Sequence, residues 1–151
     1  MNFADIDMKK EFENYNRLAP VKTANIKGCE FAYRYYKNPN PEVNVTLLVL
    51  AGGTGLADGM FAMAKSFMDK YSLIAFNYPM AFKDNEATAD AIYELIKYLK
   101  AENVYLWGQS YGGLQVTPPQ CKFISGSISC KMCTIWKQAC LFQPRLSLQH
   151  G

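Results

Sequence analysis

The feature of this sequence that points most directly to chemistry is the pentapeptide Gly-Gln-Ser-Tyr-Gly at residues 108–112. The apolar run at residues 104–107, directly before it, predicts a short buried strand. A strand that leads into Gly-x-Ser-x-Gly is typical of a nucleophile elbow, a sharp strand-to-helix turn that presents a strained serine hydroxyl. The spacing predicts that Ser110 is a nucleophile and that Gly108 and Gly112 are the elbow glycines, which let strand and helix approach closely. The alternative is an ordinary turn rich in glycine and serine.

The groups that would activate this serine are missing from the sequence that follows it. A serine hydroxyl is a weak nucleophile until a base takes its proton. No Asp or Glu occurs after Glu102, and the one histidine of the chain is His150. We interpret His150 as a solvated residue near the terminus rather than as a base. The sequence therefore predicts a nucleophile with neither a charge-relay acid nor a convincing base.

The elements that must position Ser110 alternate between strands and helices. Apolar, β-branched runs predict buried strands at residues 45–50 and 72–77, in addition to the strand at 104–108. Apolar residues at helical spacing predict helices near residues 59–69 and 86–100. This alternation predicts βαβ units, and thus an α/β fold in which helices flank a parallel sheet. Right-handed crossovers would bring the loops that follow the strands to one edge of that sheet.

Two details of the predicted elements bear on the site. Asp58 is expected to cap the first of the two helices, and Asp84 is expected to open the second. The stretch Gly-Gly-Thr-Gly at residues 52–55 follows the first strand, so we expect it at the same sheet edge as Ser110. It lacks the Gly-Lys-Ser/Thr ending of a phosphate-binding loop, which argues against a nucleotide site.

These motifs together resemble the first half of an α/β-hydrolase fold protein, over residues about 20 to 114. Residues 50–55, Leu-Ala-Gly-Gly-Thr-Gly, resemble the family's His-Gly loop, with Ala51 where histidine is usual. Residues 77–79, Asn-Tyr-Pro, resemble the loop that ends the fourth strand, and residues 107–113 resemble the nucleophile elbow. The elbow is characteristic of the fold, but none of these motifs is specific to one substrate.

The resemblance implies a serine hydrolase that acts on a carboxylic ester or a related acyl bond of a small molecule, without a cofactor. Ser110 would attack the acyl carbonyl, and the backbone N–H groups of Gly53 and Tyr111 would stabilise the oxyanion that forms. The family places an acid and then a histidine after the serine, and this order is not completed here. We therefore expect this chain to be catalytically incomplete. The alternative is a non-catalytic fragment or pseudo-enzyme that acts as a binding or interaction module.

The composition changes abruptly after Gly113. Residues 113–151 carry four basic side chains and no acidic one, and residues 122–129 predict one short strand at most. We expect a single domain over residues 1–151 that is truncated relative to the family, with residues 114–151 as an atypical tail. A frameshift or an alternative splice would produce such a change. The sheet edge left open there would favour self-association.

The cysteines, the net charge and the apolar runs bear on metal binding, nucleic-acid binding and location. Cys130 and Cys133 form a C-x-x-C pair, but a structural zinc site usually needs a second such pair or a pair of histidines, so we expect no metal. We interpret these cysteines as unpaired thiols, and a redox C-x-x-C is the alternative. A net charge of +3 with no basic stripe does not favour nucleic acid as a partner. No apolar run reaches about 18 residues and no signal peptide is recognisable, so we expect neither a membrane span nor export. The default is the cytoplasm, with reduced thiols.

Overall fold

A computed structural model describes residues 7–53, 55–81, 84–101, 103–114 and 132–134 of the chain. Their secondary-structure elements are, in chain order, α1 (Met8–Leu18), β1 (Val21–Ile26), β2 (Cys29–Tyr36), β3 (Thr46–Leu50), a 3-10 helix (Ala57–Met60), α2 (Phe61–Phe67), β4 (Ser72–Phe76), α3 (Asn85–Tyr98), β5 (Val104–Gly108), α4 (Tyr111–Leu114) and β6 (Met132–Thr134). Within these ranges no helix is long and apolar enough to cross a membrane.

The six strands form one sheet in the order β1-β2-β4-β3-β5-β6. Strand β3 lies between β4 and β5 and pairs in parallel with both, which confirms the prediction for the three central strands. The sheet as a whole is mixed, because β2 pairs antiparallel with β4 and with β1. The turn between β1 and β2 consists of Lys27 and Gly28, both at positive φ, as two-residue hairpin turns favour.

The predicted helices are present, and one predicted cap is wrong. Asp84 caps α3, since its carboxylate accepts a hydrogen bond from the Ala87 N–H at 2.7 Å. Asp58 does not cap α2, which begins at Phe61 after the 3-10 helix and has Met60 at its cap position. The Asp58 carboxylate instead pairs with the guanidinium of Arg34, which lies on β2.

The sheet separates two apolar clusters, because alternate residues of each strand point to opposite faces. On one face Leu48 and Leu106 pack with Ile92 and Leu95 of α3. On the other face Trp107 belongs to the cluster that joins the sheet to α1 and α2. The side chains of β3 and β4 are buried along their whole length, as expected for central strands covered on both faces. The sheet is therefore a rigid platform, and its loops carry the candidate site.

One strand of the sheet lies in the atypical tail. Strand β6 pairs in parallel with β5, where Leu106 lies opposite Met132 and Gly108 lies opposite Thr134. No strand was predicted at these positions from the sequence. The strand that was considered, at residues 122–129, lies outside the described residues. A three-residue strand carries too little periodicity to be recognised from its residues alone.

Candidate functional site

Ser110 lies on the turn between β5 and α4, as the motif predicts. Strand β5 ends at Gly108, and α4 begins at Tyr111, so two residues make the whole turn. The Gly112 N–H donates to the carbonyl oxygen of Gln109 at 2.9 Å and closes the turn. Ser110 has a φ of 51°, in the left-handed region that residues with a Cβ adopt at a cost. Its side chain is exposed, so the turn presents a strained serine to solvent.

The elbow packs so closely on the end of β3 that position 112 has room for glycine alone. A Cβ there would lie 2.2 Å from the carbonyl oxygen of Leu50 and 2.6 Å from that of Ala51. These are backbone atoms that cannot rotate away. Gly108 is buried in β5, where it pairs with Leu50. The second glycine of the motif therefore serves the contact between the elbow and β3.

The loop that follows β3 lies against the serine. We call residues 51–56 the glycine loop; all of them except Thr54 are described. A Cβ at Gly52 would lie 3.6 Å from the Cβ of Ser110, and the Gln109 N–H donates to the Leu50 carbonyl oxygen at 3.2 Å. Gly53 is the next residue of this loop, where a Cβ would meet open space. The glycine loop and the elbow are thus brought together at one sheet edge, while the donor roles of Gly53 and Tyr111 stay predictions.

Two tyrosine rings pack together at this part of the edge, a contact that the sequence motif does not reveal. The ring of Tyr78, two residues after β4, meets the ring of Tyr111 edge-on at a centroid distance of 5.6 Å. The Tyr111 hydroxyl lies 3.0 Å from the Asn85 side-chain oxygen at the start of α3. Burial, with a smaller contribution from nearby Tyr111, raises the pKa of Tyr78 well above its usual range. Tyr78 is therefore a neutral phenol at physiological pH.

The described residues contribute no histidine to this site, because the one histidine of the chain, His150, lies outside them. In this part of the chain no group of three His, Cys, Asp or Glu side chains is placed to hold a metal ion. Cys130 also lies outside the described residues, so the C-x-x-C pair is not described as a unit. The site as described consists of a strained serine, a glycine loop and two packed tyrosine rings.

Comparison with known proteins points to one fold. No family profile and no curated protein matches the chain. Among solved structures, the carboxylesterase CesB from Bacillus subtilis is 14% identical with a TM-score of 0.55, over 72% of this chain and 41% of that one. A membrane phospholipase A is 16% identical with a TM-score of 0.61, over 83% and 41%. An epoxide hydrolase from Vigna radiata is 17% identical with a TM-score of 0.62, over 78% and 40%.

The chain thus spans less than half of the length of each of these three proteins. These names include both ester hydrolases and an epoxide hydrolase, so the likeness concerns the scaffold and does not select a chemistry. At this level of identity the comparison shows a fold, and the described residues form part of an α/β-hydrolase fold.

Proposed function

We propose that Ser110 is the nucleophile of an acyl-hydrolase site that acts on carboxylic esters or related acyl bonds. The observation that carries this proposal is the backbone of Ser110, a residue with a side chain held at a φ of 51° on an exposed turn. Such a conformation costs about 1–3 kcal/mol and is enriched at active sites; Lys27, Lys100 and Asn103 adopt it as well, so the Gly-x-Ser-x-Gly context of Ser110 is what gives it weight. The steric fit of Gly112 against β3 supports the interpretation of this turn as a nucleophile elbow.

The proposed reaction uses two sets of groups. The Ser110 Oγ attacks the acyl carbonyl carbon while its proton passes to a base, and the carbonyl oxygen becomes an oxyanion. The N–H groups of Gly53 and Tyr111 are proposed to donate to that oxyanion, whose stabilisation is commonly a large part of the rate enhancement. Collapse of the intermediate expels the protonated alcohol and leaves an acyl-serine, which water then hydrolyses to the acid. A serine at the elbow favours this route over reactions that need a carboxylate nucleophile at the same position.

The chain is proposed to carry this chemistry incompletely. The described residues offer a nucleophile and candidate oxyanion donors, but His150, the one histidine, lies outside them and no acidic residue follows Glu102. Without a base, both formation and hydrolysis of the acyl-serine are slow. The proposed partner is a small-molecule acyl substrate. A cytoplasmic location and self-association through an open sheet edge stay predictions.

The second candidate function is a non-catalytic binding module built on the same fold. The observation that favours it is the absence of any acidic residue after Glu102, since a hydrolase of this family needs an acid to orient its base. In that case the elbow would be a remnant of an enzyme, and Ser110 would be no more reactive than an ordinary surface serine.

Acylation of Ser110 by an activated ester separates the two functions. The chain is incubated with a p-nitrophenyl acyl ester, and the acyl adduct is quantified on individual serines by peptide mass spectrometry. Ser66, an exposed serine of α2, is the internal control, because its hydroxyl donates to the Met63 carbonyl oxygen in an ordinary helix. We expect on the order of 100-fold more adduct on Ser110, the size of effect that oxyanion donors supply. Equal labelling of both serines would favour the binding module.

A further inference from the structure

The segment that follows β4 is the one part of the described sheet edge to which the proposed chemistry assigns no role. It consists of Asn77 and Tyr78, directly after the last residue of β4. Strand β4 runs parallel to β3 in the adjacent position, so this segment emerges beside the glycine loop. Both residues are partly buried, and each contacts the loop through a different kind of interaction.

Asn77 fixes the far end of the glycine loop. Its own N–H donates to the Ala32 carbonyl oxygen of β2 at 3.0 Å, which anchors the residue on the sheet. Its side-chain oxygen accepts a hydrogen bond from the Ala57 N–H at 2.9 Å. Ala57 is the first residue after the loop and starts the 3-10 helix. The Asn77 side chain, at the end of β4, therefore fixes the end of the glycine loop.

Tyr78 holds the middle of the same loop through its backbone and its ring. Its N–H donates to the Gly55 carbonyl oxygen at 3.0 Å, and the Gly55 N–H donates to the Gly52 carbonyl oxygen at 2.9 Å. Gly55 has a φ of 67°, and a Cβ there would lie 3.6 Å from Cδ2 of the Tyr78 ring. The turn that contains Gly53 is thus closed on itself and packed on Tyr78.

The same tyrosine reaches the other side of the site. Its ring packs edge-on against the ring of Tyr111, the residue directly after Ser110, at a centroid distance of 5.6 Å. Edge-on aromatic pairs stabilise a contact beyond the burial of their surface. Tyr111 is also held by Asn85, whose side-chain oxygen lies 3.0 Å from the Tyr111 hydroxyl. One residue therefore contacts both the glycine loop and the turn that carries the nucleophile.

From these contacts we infer that Asn77 and Tyr78 are positioning residues that set the distance between the two proposed oxyanion donors, the N–H groups of Gly53 and Tyr111. The inference rests on the proposed function, because it concerns the donors that the function needs. Neither residue touches the reacting atoms; both act through the loop and the elbow. Oxyanion donors must lie about 3 Å from one point, and the two donors come from different loops. A bridge between those loops meets this requirement.

The chain offers matched variants that separate positioning from ordinary stability. In the part of the chain that the structure describes, the Tyr78 hydroxyl is buried without a hydrogen-bond partner. Tyr78→Phe therefore keeps every contact of the bridge, whereas Tyr78→Leu removes the ring. Asn77→Asp keeps an acceptor for the Ala57 N–H, and Asn77→Ala removes it. Asn38→Ala is the control for stability, since the Asn38 side chain donates to the Met68 carbonyl oxygen at 2.8 Å near the opposite end of β4.

The first measurement is nuclear magnetic resonance relaxation of the amide groups of Gly53, Ala57 and Tyr111 in the full chain. Rigid backbone has an order parameter of about 0.85, and flexible backbone lies below about 0.6. We expect Asn77→Ala to lower the values of Gly53 and Ala57, and Tyr78→Leu to lower those of Gly53 and Tyr111. Tyr78→Phe, Asn77→Asp and Asn38→Ala should leave them at the wild-type level.

The second measurement is the rate at which a p-nitrophenyl acyl ester acylates Ser110, relative to the rate at Ser66 in the same chain. We expect Asn77→Ala and Tyr78→Leu to lower this rate about 10- to 100-fold, since a misplacement of about 1 Å can cost a factor of 100. The three other variants should stay within about twofold of the wild type. An effect of Asn38→Ala equal to that of Asn77→Ala would overturn the inference, because the change would then follow stability alone.

The two measurements also separate this inference from the proposed function. If Ser110 of the wild type is acylated in preference to Ser66 but Asn77→Ala and Tyr78→Leu change neither this rate nor the order parameters, the inference is overturned and the proposed function stands. If Ser110 and Ser66 are acylated equally in the wild type and in every variant, while the order parameters change as expected, the bridge is supported and the proposed function fails.

Discussion

At the scale of the residue, Gly112 is a position where a side chain would collide with backbone atoms. A Cβ at 2.2 Å from the Leu50 carbonyl oxygen requires either β3 or the elbow to move. We expect Gly112→Ala to destabilise the protein by about 3 kcal/mol, at the upper end of overpacking effects, because a backbone atom cannot yield as a side chain does. The measurement is urea unfolding of the wild type and the variant.

Gly59→Ala is the matched control for this substitution. A Cβ at Gly59, in the 3-10 helix, would meet no atom within 4 Å. The additional methyl group restricts the unfolded chain, so we expect stability to rise by up to about 1 kcal/mol. Similar urea midpoints for the two alanine variants would show that the contact at position 112 is not as tight as described.

Tyr15 provides a prediction about pH. Burial raises the pKa of its phenol to about 12, although the charge of Arg34 opposes the shift. The unfolded chain would release this proton near pH 10 and the folded chain near pH 12, so stability should fall as the pH rises through this window. The loss is on the order of 2–3 kcal/mol. Tyr15→Phe should reduce the fall between pH 10 and pH 12 in urea unfolding; an unchanged slope would contradict the assignment.

How far the site could be predicted depends on how local its determinants are. Ser110, Gly108 and Gly112 lie within five residues, so the sequence motif contains the whole turn and its steric need for glycine. The bridge by Tyr78 could not be predicted in the same way. It joins residues that are 33 positions apart, and nothing in the sequence Asn-Tyr-Pro shows which neighbouring loop its ring will meet. Neither the sequence motif nor the described structure identifies a base or an acid for Ser110.

At the scale of the element, Arg34 ties three parts of the fold together. It projects from β2, and its side chain is 4% exposed. Its guanidinium makes two hydrogen bonds with the Asp58 carboxylate, at 2.7 and 3.1 Å, and one with the Ala19 carbonyl oxygen at 2.6 Å. It also lies 5.0 Å from the centre of the Tyr15 ring. The 3-10 helix after the glycine loop is thus joined to β2 and to the end of α1.

Removal of the carboxylate partner should therefore be costly. We expect Asp58→Ala to destabilise the protein by about 2–3 kcal/mol, because a buried guanidinium loses its counter-charge; the half-exposed carboxylate keeps the cost at the low end for a buried pair. The double variant Arg34→Met with Asp58→Ala should recover at least half of the loss, since it buries no unpaired charge. Urea unfolding measures both, and a double variant as unstable as the single one would contradict this account.

Glu94→Ala is the control for the ion pair. Glu94 pairs with Lys97 one turn away on α3, and both side chains are well exposed to solvent. An exposed helix pair contributes about 0.3–0.5 kcal/mol, so this variant should unfold close to the wild type. A cost equal to that of Asp58→Ala would mean that burial of Arg34 is not what makes its ion pair matter.

The elements that could be predicted from the sequence are those whose determinants are local. Strands β3, β4 and β5 are short apolar runs, and α3 has a clear apolar face with a capping aspartate, so periodicity alone identifies them. The role of Asp58 was predicted wrongly. An aspartate before an apolar stretch is a common helix cap, but here a buried arginine 24 positions earlier forms the stronger, charge-assisted interaction. The antiparallel direction of β2 likewise depends on its partner strand.

At the scale of the whole molecule, the described residues combine a strained strand-to-helix turn with a site to which no described histidine contributes. The sheet, its two apolar clusters and the strained turn agree with one another, which is expected of a sequence that specifies this fold. The proposed activity, in contrast, needs an acid and a base, which α/β-hydrolases carry on later loops. The chain can therefore adopt the fold without catalysing the proposed reaction. A measurement of ester turnover tests whether it does catalyse it.

We expect the purified chain to hydrolyse a p-nitrophenyl acyl ester weakly or not at all. Oxyanion donors and binding can supply roughly 10³–10⁴-fold over water without a triad, which is far below a complete enzyme. Ser110→Ala should change this turnover little, because a serine without a base adds little to it. Robust turnover that Ser110→Ala abolishes would reveal a base elsewhere in the chain. His150→Ala is then the decisive variant: an equal loss would identify the one histidine as that base, and full activity would exclude it.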